Sequence, residues 1–154
     1  MLSDLDDMSP GGFAIALHIK YNTPTFMFQT FPERWVEHYS KHGLVIKDPA
    51  VHWAFSNTGF IRWRDLVEDN PDPFSVMEQS RRYGLAYGFT ASNHNGQMRT
   101  LGGFARSDRD YLDAEIADIR NRLERLDRQT LHLDALSDQD TAALQKMSIR
   151  LTHR

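Results

Sequence analysis

Cysteine is absent from the 154 residues, which excludes disulfides, thiolate nucleophiles and zinc–thiolate sites. Long apolar runs are absent too: nothing approaches the ~18 consecutive residues of a membrane span. The first eight residues, MLSDLDDM, are acidic where a secretory leader is basic. These features make a cytoplasmic protein the expectation, with no membrane partner. Positive charge is not in excess, since the formal net charge of −3 gives no general attraction to phosphate backbones or anionic lipid. Gly84, Gly88, Gly102 and Gly103 do not fall into a dinucleotide fingerprint or a phosphate-binding loop, so no nucleotide cofactor is expected. The serines lack a nucleophile elbow, and Asp48 has no carboxylate or histidine partner at a motif spacing, so an enzyme is not expected.

What remains is an ordinary globular composition, 40% apolar and 25% charged. A chain of this length buries roughly 70% of its unfolded surface in one core. Residues 2–8 read as a short helix closed by Ser9-Pro10-Gly11-Gly12, and 13–20 (FAIALHIK) as a mostly buried strand. Residues 21–24 form a turn, and 25–30 (TFMFQT) the returning strand. Pro32 and Gly43 bracket a helix over 32–42, and Asp48-Pro49 starts another over 50–55. Residues 61–66 read as a short strand or extended segment, 68–73 as a loop and 73–83 as a helix. Strands 85–92 and 97–106 are joined through Asn93-His94-Asn95-Gly96, an Asn-Gly hairpin turn, so the sheet is expected to be mostly antiparallel.

A capping-box pattern at 107–110 opens the longest helix, 108–131. Its Leu112, Ile116, Ile119, Leu123 and Leu126 recur at alternating steps of four and three. Such a seam suits helix-on-helix packing, including dimerisation, and equally a helix laid on its own sheet. A last short helix is expected over 138–147.

Residues 31–63, FPERWVEHYSKHGLVIKDPAVHWAFSNTGFIRW, hold most of the functional content. Trp35 and Tyr39, four apart, share a helix face. An indole N–H can only donate a hydrogen bond and an ionised carboxylate can only accept one. Trp35 and Asp48 together can therefore grip a small molecule carrying both a carbonyl and an N–H. The ordinary alternatives are core aromatics and a helix N-cap. His38 and His42 share a face at metal-ligand spacing, but no further ligand stands at a telling distance, and no metal site is expected.

The segment 31–51 resembles the acyl-homoserine-lactone-binding domain of LuxR-type quorum-sensing receptors. The pattern is Phe31-Pro32, Trp35, Tyr39, Asp48-Pro49 and the later Trp63, followed by 84–90, GLAYGFT; together the matches span about 12–133. The resemblance implies an α/β/α sandwich, with an antiparallel sheet between helical layers and the ligand between the sheet and one layer. It also implies that Trp35 donates to the lactone carbonyl, Asp48 accepts the ligand amide N–H and Trp63 packs on the lactone ring. Tyr39, Phe31 and Thr90 belong to the same site, and Leu17, Val51, Leu85 and Phe89 are expected around the acyl chain. Phe31 stands where many members have a tyrosine, and Ala105 falls near a hydroxyl-bearing position, so the pocket is expected to be more apolar than is usual. Residues 1–133 are then the binding domain. Residues 134–154 resemble the start of a truncated helix-turn-helix region, with no direct DNA contact expected. The implied function is a quorum-sensing receptor that binds an acyl-homoserine lactone or related acyl signal, as a homodimer or paired with a full-length homologue. The alternative is a ligand-independent partner of such homologues.

Overall fold

The computed structural model describes residues 2–20, 24 and 26–131. The expected turn at 21–24, apart from Pro24, and the expected helix and helix-turn-helix segment after residue 133 lie outside those residues. Five antiparallel strands form one sheet in the order β2-β1-β5-β4-β3: β1 Gly12–Ile19, β2 Phe26–Gln29, β3 Gly59–Arg62, β4 Tyr87–Asn95 and β5 Met98–Arg106. Helices α1 (Leu2–Met8) and α6 (Asp113–Thr130) cover one face. Helices α2 (Glu33–Lys41), α3 (Pro49–Ser56), α4 (Trp63–Asp69) and α5 (Val76–Arg82) lie towards the other. The expected sandwich is the observed fold.

The two faces follow from strand alternation. In β1, Phe13, Ile15 and Leu17 point towards α6, where they join Phe26, Phe89, Ala91 and Phe104 in the main core. Ala14 and Ala16 point the other way. Register carries this across the sheet: Ala14 pairs with Gln29 and Gly103, and Gly103 with Thr90, while Ala16 pairs with Met27 and Leu101. One face is thus floored by large side chains and the other mostly by small ones.

Several element boundaries differ from those expected. The segment 61–66 splits: Arg62 is the last β3 residue paired with β4, and the chain then turns into α4, laying Trp63 over Gly88, where an added Cβ would sit 2.5 Å from the indole. Helix α5 starts three residues late. Asp72 still accepts the Val76 and Met77 N–H groups at 2.9 and 3.1 Å, but from a loop position, with Ser75 left-handed at φ 53°. The β4–β5 turn is Gly96-Gln97, since Asn95 pairs with Met98.

Helix α6 starts at Asp113 because arginines claim the acids of the expected capping box. Arg106 binds Asp108, and Arg62 binds Asp110 and Asp113. Glu115 instead accepts the Leu112 N–H at 2.7 Å. Of the expected dimer seam, Ile116, Ile119, Leu123 and Leu126 are buried against the chain's own sheet, leaving only Leu112 exposed, at 61%. Those four side chains are therefore filled positions of this domain's core and are not free for a second helix.

Candidate ligand-binding site

Between the small-residue face and helices α2 and α3 lies a cavity of about 290 Å³, at the lower end of the roughly 300–1,000 Å³ common for small-molecule sites. Ala14, Ala16, Leu101 and Gly103 form its floor, with Met27 and Gln29 on the β2 side. Trp35 and Tyr39 from α2, and Ala50, Val51, Ala54 and Phe55 from α3, form the roof. Phe31, Trp63, Thr90 and Asp48 are also among the lining residues. A Cβ built on Gly103 would meet nothing within 4 Å, so part of the cavity exists because that side chain is missing.

Local sequence places the polar groups. Asp48 caps α3 ahead of Pro49, with Oδ1 accepting the Ala50 N–H at 2.8 Å. Its Oδ2 accepts the Tyr39 hydroxyl at 2.8 Å. The helix cap and the polar wall of the cavity are thus the same carboxylate. Burial pushes the Asp48 carboxyl above its ordinary range, only partly offset by the hydrogen bonds from Tyr39 and the α3 backbone. Burial, and then the neighbouring Asp48, push the Tyr39 phenol upward, so it stays a donor.

Trp35 tilts against Tyr39 and Tyr83, with ring centroids 5.4 and 5.3 Å apart. Its indole N–H has no hydrogen-bond partner among the described residues and is not sealed among apolar atoms. Trp63 is spoken for, donating its N–H to the Thr90 hydroxyl at 2.9 Å. Trp35, whose N–H is unpaired among the described residues, and Asp48, a fixed acceptor, thus both line a largely apolar cavity.

Trp35, Asp48, Trp63, Tyr39, Phe31, Val51 and Thr90 are brought together here, from segments up to 59 positions apart in the chain. Leu17 and Phe89 are not. Both point through the sheet into the α6 core, because they occupy the opposite alternation phase from Ala16 and Thr90. Leu85 and Ala105 are buried beside Trp35 in the smaller cluster, outside the lining. Sequence reasoning missed the strand residues Ala14, Ala16, Met27, Gln29, Leu101 and Gly103, and Ala50, Ala54 and Phe55 of α3, among others. The signal was available in the large–small alternation of β1. Two other hollows, of about 410 and 500 Å³, are lined by charged groups such as Arg64, Asp72 and Arg81, or Arg34 and Arg82. His38 and His42 meet at a tilt of 55° with centroids 4.5 Å apart, and His38 Nε2 hydrogen-bonds with Gln79 Oε1. Among the described residues no group of three or more metal-ligating side chains is assembled, and no helix is long and apolar enough to cross a membrane.

The architecture is thus one antiparallel sheet between helical layers, with a largely apolar cavity on one side. Residues 13–132 match the family described as autoinducer binding domain, and the chain belongs to that family, the sensor region of LuxR-type regulators. It is 31% identical over 91 residues to the transcriptional activator VanR of Vibrio anguillarum, a match covering 58% of this chain and 38% of that protein. It is 27% identical over 105 residues to the transcriptional activator LuxR of Aliivibrio fischeri, covering 63% and 40%. The chain thus spans about two fifths of the length of these relatives. Among solved structures it superposes on SdiA in complex with octanoyl-rac-glycerol with a TM-score of 0.63 at 18% identity, covering 86% of this chain and 58% of that one. That likeness is one of fold.

Proposed function

We propose that this domain binds a neutral acyl signal of the acyl-homoserine-lactone class in the α2–α3 cavity. The observation that carries the reading is the pairing of an unpartnered Trp35 N–H with the Tyr39-locked Asp48 carboxylate inside an apolar lining. An acyl amide with a carbonyl-bearing head offers the matching acceptor and donor. Its alkyl chain would cover Ala14, Ala16, Met27 and Val51. The Trp63 ring, fixed over Gly88, offers a flat surface for the head group.

In this reading the domain is the cytoplasmic sensor of a quorum-sensing transcription regulator, and occupancy is passed on by association with a second chain, either a copy of itself or a full-length homologue. Because Ile116, Ile119, Leu123 and Leu126 are used internally, such contact would run over the outward face of α6 beginning at Leu112. DNA contact is assigned to other parts of such an assembly.

The test is mass spectrometry of an organic extract of the protein expressed with a panel of acyl-homoserine lactones, beside a Trp35→Phe, Asp48→Asn double variant. One intact lactone per wild-type chain, absent from the folded variant, is the expected result. No lactone on a folded wild type would overturn the reading in favour of a ligand-independent interaction protein.

A further inference from the structure

The hollow of about 500 Å³ between α2 and α5 is lined by Pro32, Arg34, His38, Gln79, Arg82 and Tyr83. No acid is among them. Glu33, Glu37 and Glu78 belong to the same two helices, yet none lines this hollow. The hollow of about 410 Å³ makes the contrast: there Asp72, Glu78 and Asp110 share the lining with Arg64 and Arg81, and Arg64 pairs with Asp110 at 3.2 Å. Among the described residues, by comparison, neither Arg34 nor Arg82 makes an ion pair, and the Tyr83 hydroxyl makes no hydrogen bond.

The walls of the hollow are braced. Gln79 Nε2 donates to the Phe74 carbonyl at 2.8 Å, which leaves its Oε1 for His38 Nε2 at 2.6 Å. Tyr83 packs on His38 and on the buried Trp35, with ring centroids 5.1 and 5.3 Å apart, and Arg34 Cζ stands 5.9 Å from the Tyr83 ring centroid. Two like charges left unneutralised on one hollow repel each other, and an anion between them turns that repulsion into attraction. A guanidinium presents a planar fork that matches phosphate oxygens two at a time. A phosphate monoester carries about −1.5 to −2 charges at pH 7, which suits two arginines. We infer that the α2–α5 hollow is a second binding site of this domain, for a phosphate monoester held by Arg34 and Arg82 with the Tyr83 hydroxyl as a further donor. The site stands independently of what the α2–α3 cavity binds.

The experiment titrates the ligand-free full chain with inorganic phosphate and with phenyl phosphate, reading calorimetry and the fluorescence of the tryptophans, of which Trp35 touches Tyr83. Cosedimentation with phosphatidylcholine vesicles, with and without phosphatidic acid, tests the same chemistry on a lipid headgroup. Both are repeated on Arg34→Gln and Arg82→Gln, two exposed positions, and on Arg125→Gln, which removes the same charge from an exposed position of α6. Ligand-free melting curves report folding. The wild type is expected to bind phenyl phosphate saturably at one per chain. Each hollow variant should raise its Kd about five- to tenfold, and Arg125→Gln should leave it unchanged. Binding to phosphatidic acid alone, with the same dependence on Arg34 and Arg82, would uphold the site and assign its ligand to a lipid headgroup. No binding of any probe, an affinity that survives either hollow substitution, or equal weakening by Arg125→Gln would overturn the site.

Discussion

On the α6 side of the sheet, Phe13, Phe89 and Phe104 fill the space between strands and helices. Phe89 stacks on Phe104 at 5.0 Å and meets Tyr111 edge-on at the same distance. On the other side the same strands present Ala14, Ala16, Gly103 and Thr90, and a cavity remains. Both faces share one hydrogen-bonded backbone, so the difference lies wholly in side-chain volume. Close packing is what stabilises a domain. A face left open sacrifices part of that stability and gains room for a ligand, and the two faces accordingly predict opposite responses to substitution.

The largest effect is expected on the filled face. Phe104→Ala should cost about 3–5 kcal/mol in a urea titration, through lost burial and the cavity left behind. A loss below about 1 kcal/mol would mean that this face is not the stabilising core.

Neighbouring glycines sharpen the contrast. A Cβ on Gly102 would sit 2.7 Å from the Phe104 ring and 3.3 Å from Leu123. Gly102→Val should therefore destabilise by about 1–3 kcal/mol through overpacking. Gly103→Leu one position away enters open space, so its urea midpoint should stay near that of the wild type while acyl-lactone retention is lost. Equal destabilisation by the two substitutions would abolish the distinction between the faces.

The polar wall of the cavity makes a pH prediction. The carboxyl of Asp48 is raised in the folded state above its ordinary value of 3.8, so the folded chain holds this proton more tightly than the unfolded one does. Stability of the ligand-free protein should then fall as pH rises from below 3.8 through the folded pKa, as linkage requires. Urea midpoints measured across that range for wild type and Asp48→Asn isolate the contribution, since other carboxylates titrate in both proteins. A difference between the two that is constant with pH would count against the buried-acid picture.

The smallest expected effect is that of Tyr39→Phe, about 1 kcal/mol, from removing the hydroxyl that donates to Asp48 Oδ2. The same variant should push the Asp48 titration further upward, which the same pH series would detect.

Much of the fold was legible in the sequence because its signals are local. Pro32 and Gly43 bracket α2, Asp48-Pro49 starts α3, and the apolar runs mark β1, β4 and β5. The expectations that failed depended on distant partners. Residues 108–112 stay out of α6 because Arg62, nearly fifty positions earlier, binds Asp110, the Tyr111 carbonyl and Asp113. The short strand or extended segment expected over 61–66 gives way to α4 where pairing with β4 ends at Arg62 and Phe89 and Trp63 settles over Gly88. The site divides in the same way. Trp35, Tyr39 and Asp48 lie within fourteen positions of one another in a recognisable pattern. Leu17 and Phe89 were misplaced because an apolar residue in a strand shows its hydrophobicity in the sequence but not which helical layer it faces.

The sequence by itself determined the element order apart from helix α4, the family resemblance and the side-chain chemistry of Trp35 and Asp48, since side-chain chemistry and local backbone preference need no neighbours to be read. Only the tertiary structure decided that the α6 seam is turned inward and that Ala14, Ala16 and Gly103 bound an open space with Gln29 beside them. An empty volume belongs to no single residue. It exists only where strand register sets several small side chains side by side beneath a helical layer.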